Sequence, residues 1–225
     1  MTETVRVFVG TDPRMGAAEN VLEYTLRSHS KRQIEIHWMR AGDPGFAWNI
    51  GRPPGQPYTR PGWATDFTCF RWAVPALAGY QGRAIYLDVD MAVFADIGQV
   101  LDWDLGMYAY GRAGGRFDVM VFDCEHERWR SPHFPSLFDL QNTDNYWTMS
   151  SLAAKAPPAA TLPKEWDEVT RTRPGITKLR HWTNMRTQPW RPWPEAFRYD
   201  ENPTDPDHDL WWALHAEATR GETIA

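Results

Sequence analysis

The run Ala84-Ile85-Tyr86-Leu87-Asp88-Val89-Asp90-Met91 constrains this 225-residue chain more than any other stretch. An apolar, β-prone segment ends abruptly in two carboxylates separated by one residue. In extended backbone successive side chains alternate faces, so Asp88 and Asp90 can project to the same side. The carboxyl end of a buried parallel strand is where open α/β sheets place their ligands. Two adjacent anions repel and do not both stay ionised unaided. A hard divalent cation with oxygen ligands resolves that, and such a cation commonly arrives with substrate phosphates. The pair therefore points to a metal and a phosphorylated ligand. The plainer reading is that strand-end aspartates are helix caps or loop polar groups, and short motifs carry that risk.

The surrounding pattern supplies a sheet for this strand. Residues 5–10 read as a first strand, and Asp12-Pro13 fits an N-cap and first helical position. Ala17, Ala18, Val21, Leu22 and Leu26 recur at helical spacing, and Ile34, Ile36 and Trp38 alternate in a second strand over 33–39. A β-α-β opening predicts a mostly parallel sheet covered by helices. Asp12, at the carboxyl end of strand one, is equally a cap or a nucleotide contact. Residues 42–62, rich in Gly and Pro, form a loop long enough to be a lid or binding edge. A helix over 63–77 turns Phe67, Phe70, Trp72 and Val74 inward, with Arg71 either solvated or aimed at phosphate or at the acidic pair. A short helix over 96–101, a strand over 107–110, a turn over 111–115 and a strand over 117–123 follow. Asp118 interrupts that last strand, where an acidic residue is costly unless paired, so it is a candidate substrate-facing carboxylate. Residues 137–154 predict helix in two pieces, and 178–182 a late strand ending in His181, a residue that at strand ends is more often structural than a ligand. Asp205-Pro206 starts a final helix closed by Gly221, with Leu210, Trp211, Leu214 and Ala218 on one stripe.

Composition removes several function classes. Lys plus Arg number 24 against 29 Asp plus Glu, a formal net charge of −5, which is no electrostatic footprint for nucleic acid. No apolar run approaches a membrane span, and the N-terminus lacks a signal-peptide pattern. Cys69 and Cys124 make neither a disulfide framework nor zinc spacing, which suits the reducing cytoplasm. Thirteen Trp are unusual for this length; most are read as core, although a flat apolar face with one donor also stacks on sugars or bases.

In order along the chain, these segments resemble the retaining nucleotide-sugar glycosyltransferases of the glycogenin and lipopolysaccharide-galactosyltransferase type. Gly10-Thr11-Asp12 is similar to that family's nucleotide-contacting opening. Phe67-Thr-Cys-Phe-Arg71-Trp-Ala-Val-Pro75 resembles the helix whose arginine reaches the donor, and Tyr86-Leu-Asp88-Val-Asp90 its DxD signature. Leu162-Pro163-Lys-Glu-Trp166-Asp167 resembles a Leu-Pro-x-x-Trp-Asn element, and His181-Trp-Thr with Pro189-Trp190 a distal His-x-x-Gly…Lys-Pro-Trp motif. The resemblance implies a single-domain GT-A fold, a Rossmann-like α/β architecture, over residues 1–225, with a C-terminal helix at about 205–220 packed on it. It implies Mn²⁺ or Mg²⁺ on Asp88, Asp90 and His181, and a nucleotide-sugar donor, UDP-linked, contacted by Gly10, Thr11, Asp12, Arg71, Asp88, Val89, Asp90, Arg186 and Gln188. The partners implied are that donor and a carbohydrate or other hydroxyl acceptor. Asp118 and Asp123 are the carboxylates to test as catalytic groups. Two departures stand out: the family's Asn-Ser-Gly run is absent near Asp118, and Gln188 replaces its lysine before Pro-Trp.

Two rivals remain open. A haloacid-dehalogenase-type phosphohydrolase also places Asp-x-Asp after an apolar strand, but its motif continues to Thr or Val where this chain has Ala92, and here the pair follows a complete β-α-β unit. A non-catalytic nucleotide-sugar-binding protein would retain the site without the chemistry.

Overall fold

The structure, a computed structural model, describes residues 4–40, 65, 67–142, 149–156, 158–184, 187–190 and 205–222. The predicted 42–62 loop, Asp66 and Arg186 lie outside the described residues.

A six-stranded sheet carries the fold. Its strands are β1 (Val5–Thr11), β2 (Ile34–Arg40), β3 (Arg83–Asp88), β5 (Tyr110–Ala113), β6 (Val119–Asp123) and β7 (Ala159–Leu162), in the order β2-β1-β3-β6-β5-β7. β1 runs parallel to β2 and β3, β5 parallel to β7, and β6 antiparallel to β3 and β5. Val5, Val7 and Val9 are fully buried, as are Ala84 to Leu87, so β1 and β3 are near-continuous apolar runs covered on both faces. A second, two-stranded sheet pairs β4 (Met91–Val93) antiparallel with β8 (Leu179–His181), with Met91 opposite His181.

Helix α1 (Gly16–His29) buries Ala18, Val21, Leu22, Thr25 and Leu26, the stripe its spacing predicts. Each such Val or Leu contributes about 1.5–3 kcal/mol by leaving water. Against α1 packs the C-terminal helix (His208–Glu222), with Trp211 buried and Tyr24 donating to Glu217 at 2.9 Å.

Four local expectations are corrected. α1 starts at Gly16 rather than Pro13, because the Asp12 carboxylate accepts from the Arg14 backbone N–H and guanidinium and makes a turn instead of a cap. Residues 67–77 form a turn, a 3₁₀ segment (Phe70–Ala73) and one α-turn (Val74–Leu77) instead of a continuous helix, although Phe67, Phe70, Trp72 and Val74 are buried as expected. The strand expected at 107–110 lies at Tyr110–Ala113. Met107 is 83% exposed, and Gly111, read as turn, sits inside the strand, where a Cβ would collide with Leu162. The real turn is Gly114-Gly115, both at positive φ. The last helix continues through Gly221 to Glu222.

Candidate active site

Three strand ends and the small sheet meet at the Asp-Val-Asp corner. The Asp88 N–H donates to the Asp118 carbonyl (3.2 Å) and the Val89 N–H to the Gly10 carbonyl (3.1 Å), which knots β3 to β6 and β1. The chain then turns into β4, where the Trp182 N–H donates to the Asp90 carbonyl at 2.9 Å. The pairing brings His181, ninety-one positions downstream of Asp90, to the same corner. Its Nε2 is 3.2 Å from Asp90 Oδ1, and its Nδ1 is 2.9 Å from Asp167 Oδ1 and 3.8 Å from Asp118 Oδ2. The cleft over this corner has a volume of about 320 Å³ and includes Arg71, Asp88, Asp90, Arg116, Asp118, His181 and Gln188 in its walls.

Charge is densely paired here. Arg71, 3% exposed, donates from Nη2 to both Asp88 oxygens (2.9 and 3.1 Å), from Nη1 to Asp118 Oδ1 (2.8 Å) and the Phe117 carbonyl, and from Nε to the Thr68 carbonyl (2.8 Å). The Tyr86 hydroxyl, on the same strand face two residues before Asp88, donates to Asp88 Oδ1 at 2.6 Å. Burial, with Asp118 and Asp90 nearby, pushes Asp88 up to about 7 despite Arg71. Burial acts on Asp118 in the same sense, but Arg71, His181 and Arg116 outweigh it and hold that carboxyl below its ordinary value. For His181, burial is outweighed by Asp90, Asp167 and Asp118, which raise it well above the usual imidazole value.

Asp88, Asp118 and His181 can each bring one ligand atom within 4.8 Å of the others. Carboxylate oxygens with one imidazole suit Mn²⁺, and Mg²⁺ less fully, so the donor set fits the implied ion. Asp90 touches His181 directly, while its other oxygen accepts from Gln188 Nε2 at 2.8 Å. Asp118 thus stands among the described residues that could hold an ion.

The remaining predicted residues separate. Asp123 is not brought to the cleft. It ends β6 at the opposite end of the strands, where β3 begins, beside Arg83 and Glu125. Gly10, Thr11 and Asp12 are buried and already engaged: Gly10 lies under the Tyr86 ring, Thr11 donates to Glu19 (2.8 Å), and Asp12 pairs with Arg14. Val89 is fully buried with its N–H spent on Gly10. Trp182 and Trp190 pack edge-to-face at 6.4 Å, and Trp190 stacks on Trp211 at 4.9 Å, in the core rather than the cleft wall.

Sequence reasoning missed three participants. Tyr86 could have been found from its i−2 position relative to Asp88. Asp167, fully buried at its side chain, orients His181, and its signal was the Leu-Pro-x-x-Trp-Asp element. Arg116, which bonds Asp118 (2.7 Å) and Thr183 (3.2 Å), had no sequence signal beyond following a Gly-Gly turn.

No known family profile matches the chain. Protein CDI of Arabidopsis thaliana is 33% identical over 100 residues, which is 43% of this chain and only 36% of that protein. Among solved structures, the galactosyltransferase LgtC in complex with donor and acceptor sugar analogs superposes with a TM-score of 0.61 at 12% identity, covering 96% of each chain. The glycosyltransferase GlyE of Streptococcus pneumoniae TIGR4 has the same TM-score at 13% identity and covers 95% of this chain, which spans 61% of that structure. The chain has the GT-A fold of these glycosyltransferases.

Proposed function

We propose that this chain is a single-domain, metal-dependent retaining glycosyltransferase that moves a sugar from a nucleotide-sugar donor, UDP-linked, to a hydroxyl acceptor. The observation that carries the reading is the convergence of Asp88, Asp90, Asp118 and His181 on one cleft at the carboxyl end of β3, within a GT-A sheet.

In this reading Asp88, Asp118 and His181, with Asp90 beside them, hold Mn²⁺ or Mg²⁺, and the bound ion supplies Lewis acidity against the charge of the departing nucleoside diphosphate. Asp167 holds the His181 ring through Nδ1, which leaves Nε2 directed at the Asp90 side of the cleft. Arg71 and Tyr86 fix the Asp88 carboxylate in place before any ligand arrives, so little reorganisation is needed on binding. Arg71 acts on the carboxylates instead of on the donor, since each of its nitrogens is already engaged by protein. The anomeric centre passes through an oxocarbenium-like state, as in glycosyl transfer generally. Asp118 is held as an anion by its cationic neighbours Arg71, His181 and Arg116. The phosphohydrolase alternative requires Asp88 to attack, a role poorly served by a carboxylate clamped from two sides.

A thermal-shift screen of nucleotides and nucleotide sugars with and without Mn²⁺ tests the proposal. UDP is expected to stabilise the protein only when Mn²⁺ is present, and His181→Ala to abolish the shift. Equal stabilisation in excess EDTA refutes the metal-dependent reading. Tight UDP binding without donor turnover for any acceptor identifies a binding protein instead.

A further inference from the structure

A nucleoside diphosphate carries charge into the cleft that one divalent ion does not fully neutralise, and the cleft residues differ in what they have left to offer it. Arg71 is buried and committed, and both ring nitrogens of His181 have carboxylate partners. Gln188 stands where the resemblance places a lysine. It is 2% exposed, and its Nε2 donates to Asp90 Oδ2 (2.8 Å) and to the Trp182 carbonyl (2.7 Å). Both partners only accept, so they dictate which way the amide faces. What Gln188 has left is Oε1, a buried acceptor without a partner, which repels phosphate oxygens.

Arg116 is different. It lines the same cleft with its side chain 43% exposed, directly after the Gly114-Gly115 turn between β5 and β6. Nε donates to Asp118 Oδ2 at 2.7 Å and lies 3.2 Å from Asp167 Oδ2, while Nη2 reaches Asp118 Oδ2 (2.5 Å) and Thr183 Oγ1 (3.2 Å). Nη1 makes no hydrogen bond among the described residues, so two guanidinium hydrogens remain for a ligand without breaking a contact. Each Nη1 hydrogen can make a charge-assisted bond to a phosphate oxygen, which Gln188 Oε1 cannot.

We propose that Arg116 is, among the described residues, the cation that binds the diphosphate, supplying from the β5–β6 turn the charge that Gln188 cannot. The proposal rests on the glycosyltransferase reading and names the phosphate contact within it. Titration calorimetry with UDP in saturating Mn²⁺ tests it, with uridine, measured by ligand-observed NMR, as the phosphate-free probe. Arg116→Gln is expected to weaken UDP binding about tenfold or more while leaving uridine unchanged. Arg116→Lys should recover part of the loss. Gln188→Lys placed in the Arg116→Gln background should also recover it, because the cation then comes from the opposite wall. Unchanged UDP affinity in Arg116→Gln overturns the proposal alone, as does an equal loss for UDP and uridine, which marks Arg116 as a prop for the cleft. A wild-type protein that binds no UDP overturns the parent reading together with this one.

Discussion

Gly10→Ala is the most informative single perturbation of this site, because it acts through the packing beneath Asp88. Gly10 faces Asp88 in the β1–β3 register, and a Cβ there overlaps the Tyr86 hydroxyl oxygen, with the Tyr86 Cζ at 3.1 Å and Phe67 Cδ2 at 3.0 Å. Tyr86 is fully buried, so its ring cannot swing into solvent. Overpacking of this kind costs about 1–3 kcal/mol. Displacing the ring also breaks the 2.6 Å bond to Asp88, a hydrogen bond to a charged group worth about 1.5–3 kcal/mol. The expected loss is therefore about 2.5–6 kcal/mol. Tyr86→Phe alone should lose only the hydrogen-bond share. In the double variant the colliding hydroxyl is gone, and part of the cost of Gly10→Ala is recovered; the Phe67 and ring-carbon contacts still crowd the methyl, so recovery is incomplete. A urea-unfolding double-mutant cycle at constant m-value should give a favourable coupling of at least about 1.5–3 kcal/mol, because the hydrogen bond lost in each single variant is lost only once in the double. Strictly additive losses would refute the idea that Gly10 exists to admit the tyrosine that steadies Asp88.

Three further outcomes are expected. Asp88 is raised to about 7 and His181 is raised as well, so the folded, metal-free protein holds protons that the unfolded chain releases. Its melting temperature should fall as pH rises from about 5 through 8, and Mn²⁺ affinity should rise over the same window because binding displaces those protons. The stabilisation from depressed Asp118 is lost only in acid and does not alter that slope; a flat melting profile contradicts the coupling. Arg180, 1% exposed, bonds Asp205 at 2.9 Å and Asp207 at 2.7 Å, so Arg180→Ala should cost about 3–5 kcal/mol in chemical denaturation, and a loss under 1 kcal/mol would be inconsistent with a buried ion cluster. Asp123→Asn should leave donor turnover near wild type while Asp118→Asn lowers it at least a hundredfold, about 2.7 kcal/mol of barrier; equal effects would return Asp123 to the chemistry.

What the sequence made legible follows from where its signals are local. The apolar runs of β1 and β3 and the stripe of α1 are properties of consecutive residues, and they appear at the expected places. His181 beside Asp90 was accessible only through an ordered set of motifs, because nothing within either segment encodes a pairing across ninety residues. The misplaced β5 shows the converse limit. Gly111 reads as a turn until Leu162, fifty-one positions later, is found occupying the space its side chain would need. Arg71 read from the sequence as solvated, aimed at phosphate, or aimed at the acidic pair. The structure turns it toward Asp88 and Asp118, because a buried guanidinium must satisfy its donors from whatever acceptors the fold brings within reach.

The seam between β4 and β8, only three residue pairs long, makes the cleft a late event in the life of the chain. Asp88 and Asp90 leave the ribosome long before His181, and Arg180 ties that last strand to Asp205 and Asp207 at the start of the terminal helix. A nascent or clipped chain ending before residue 178 would carry the acidic corner without its imidazole or the carboxylate-anchored tail behind it. Loss of that stretch would also strip β4 of its pairing partner.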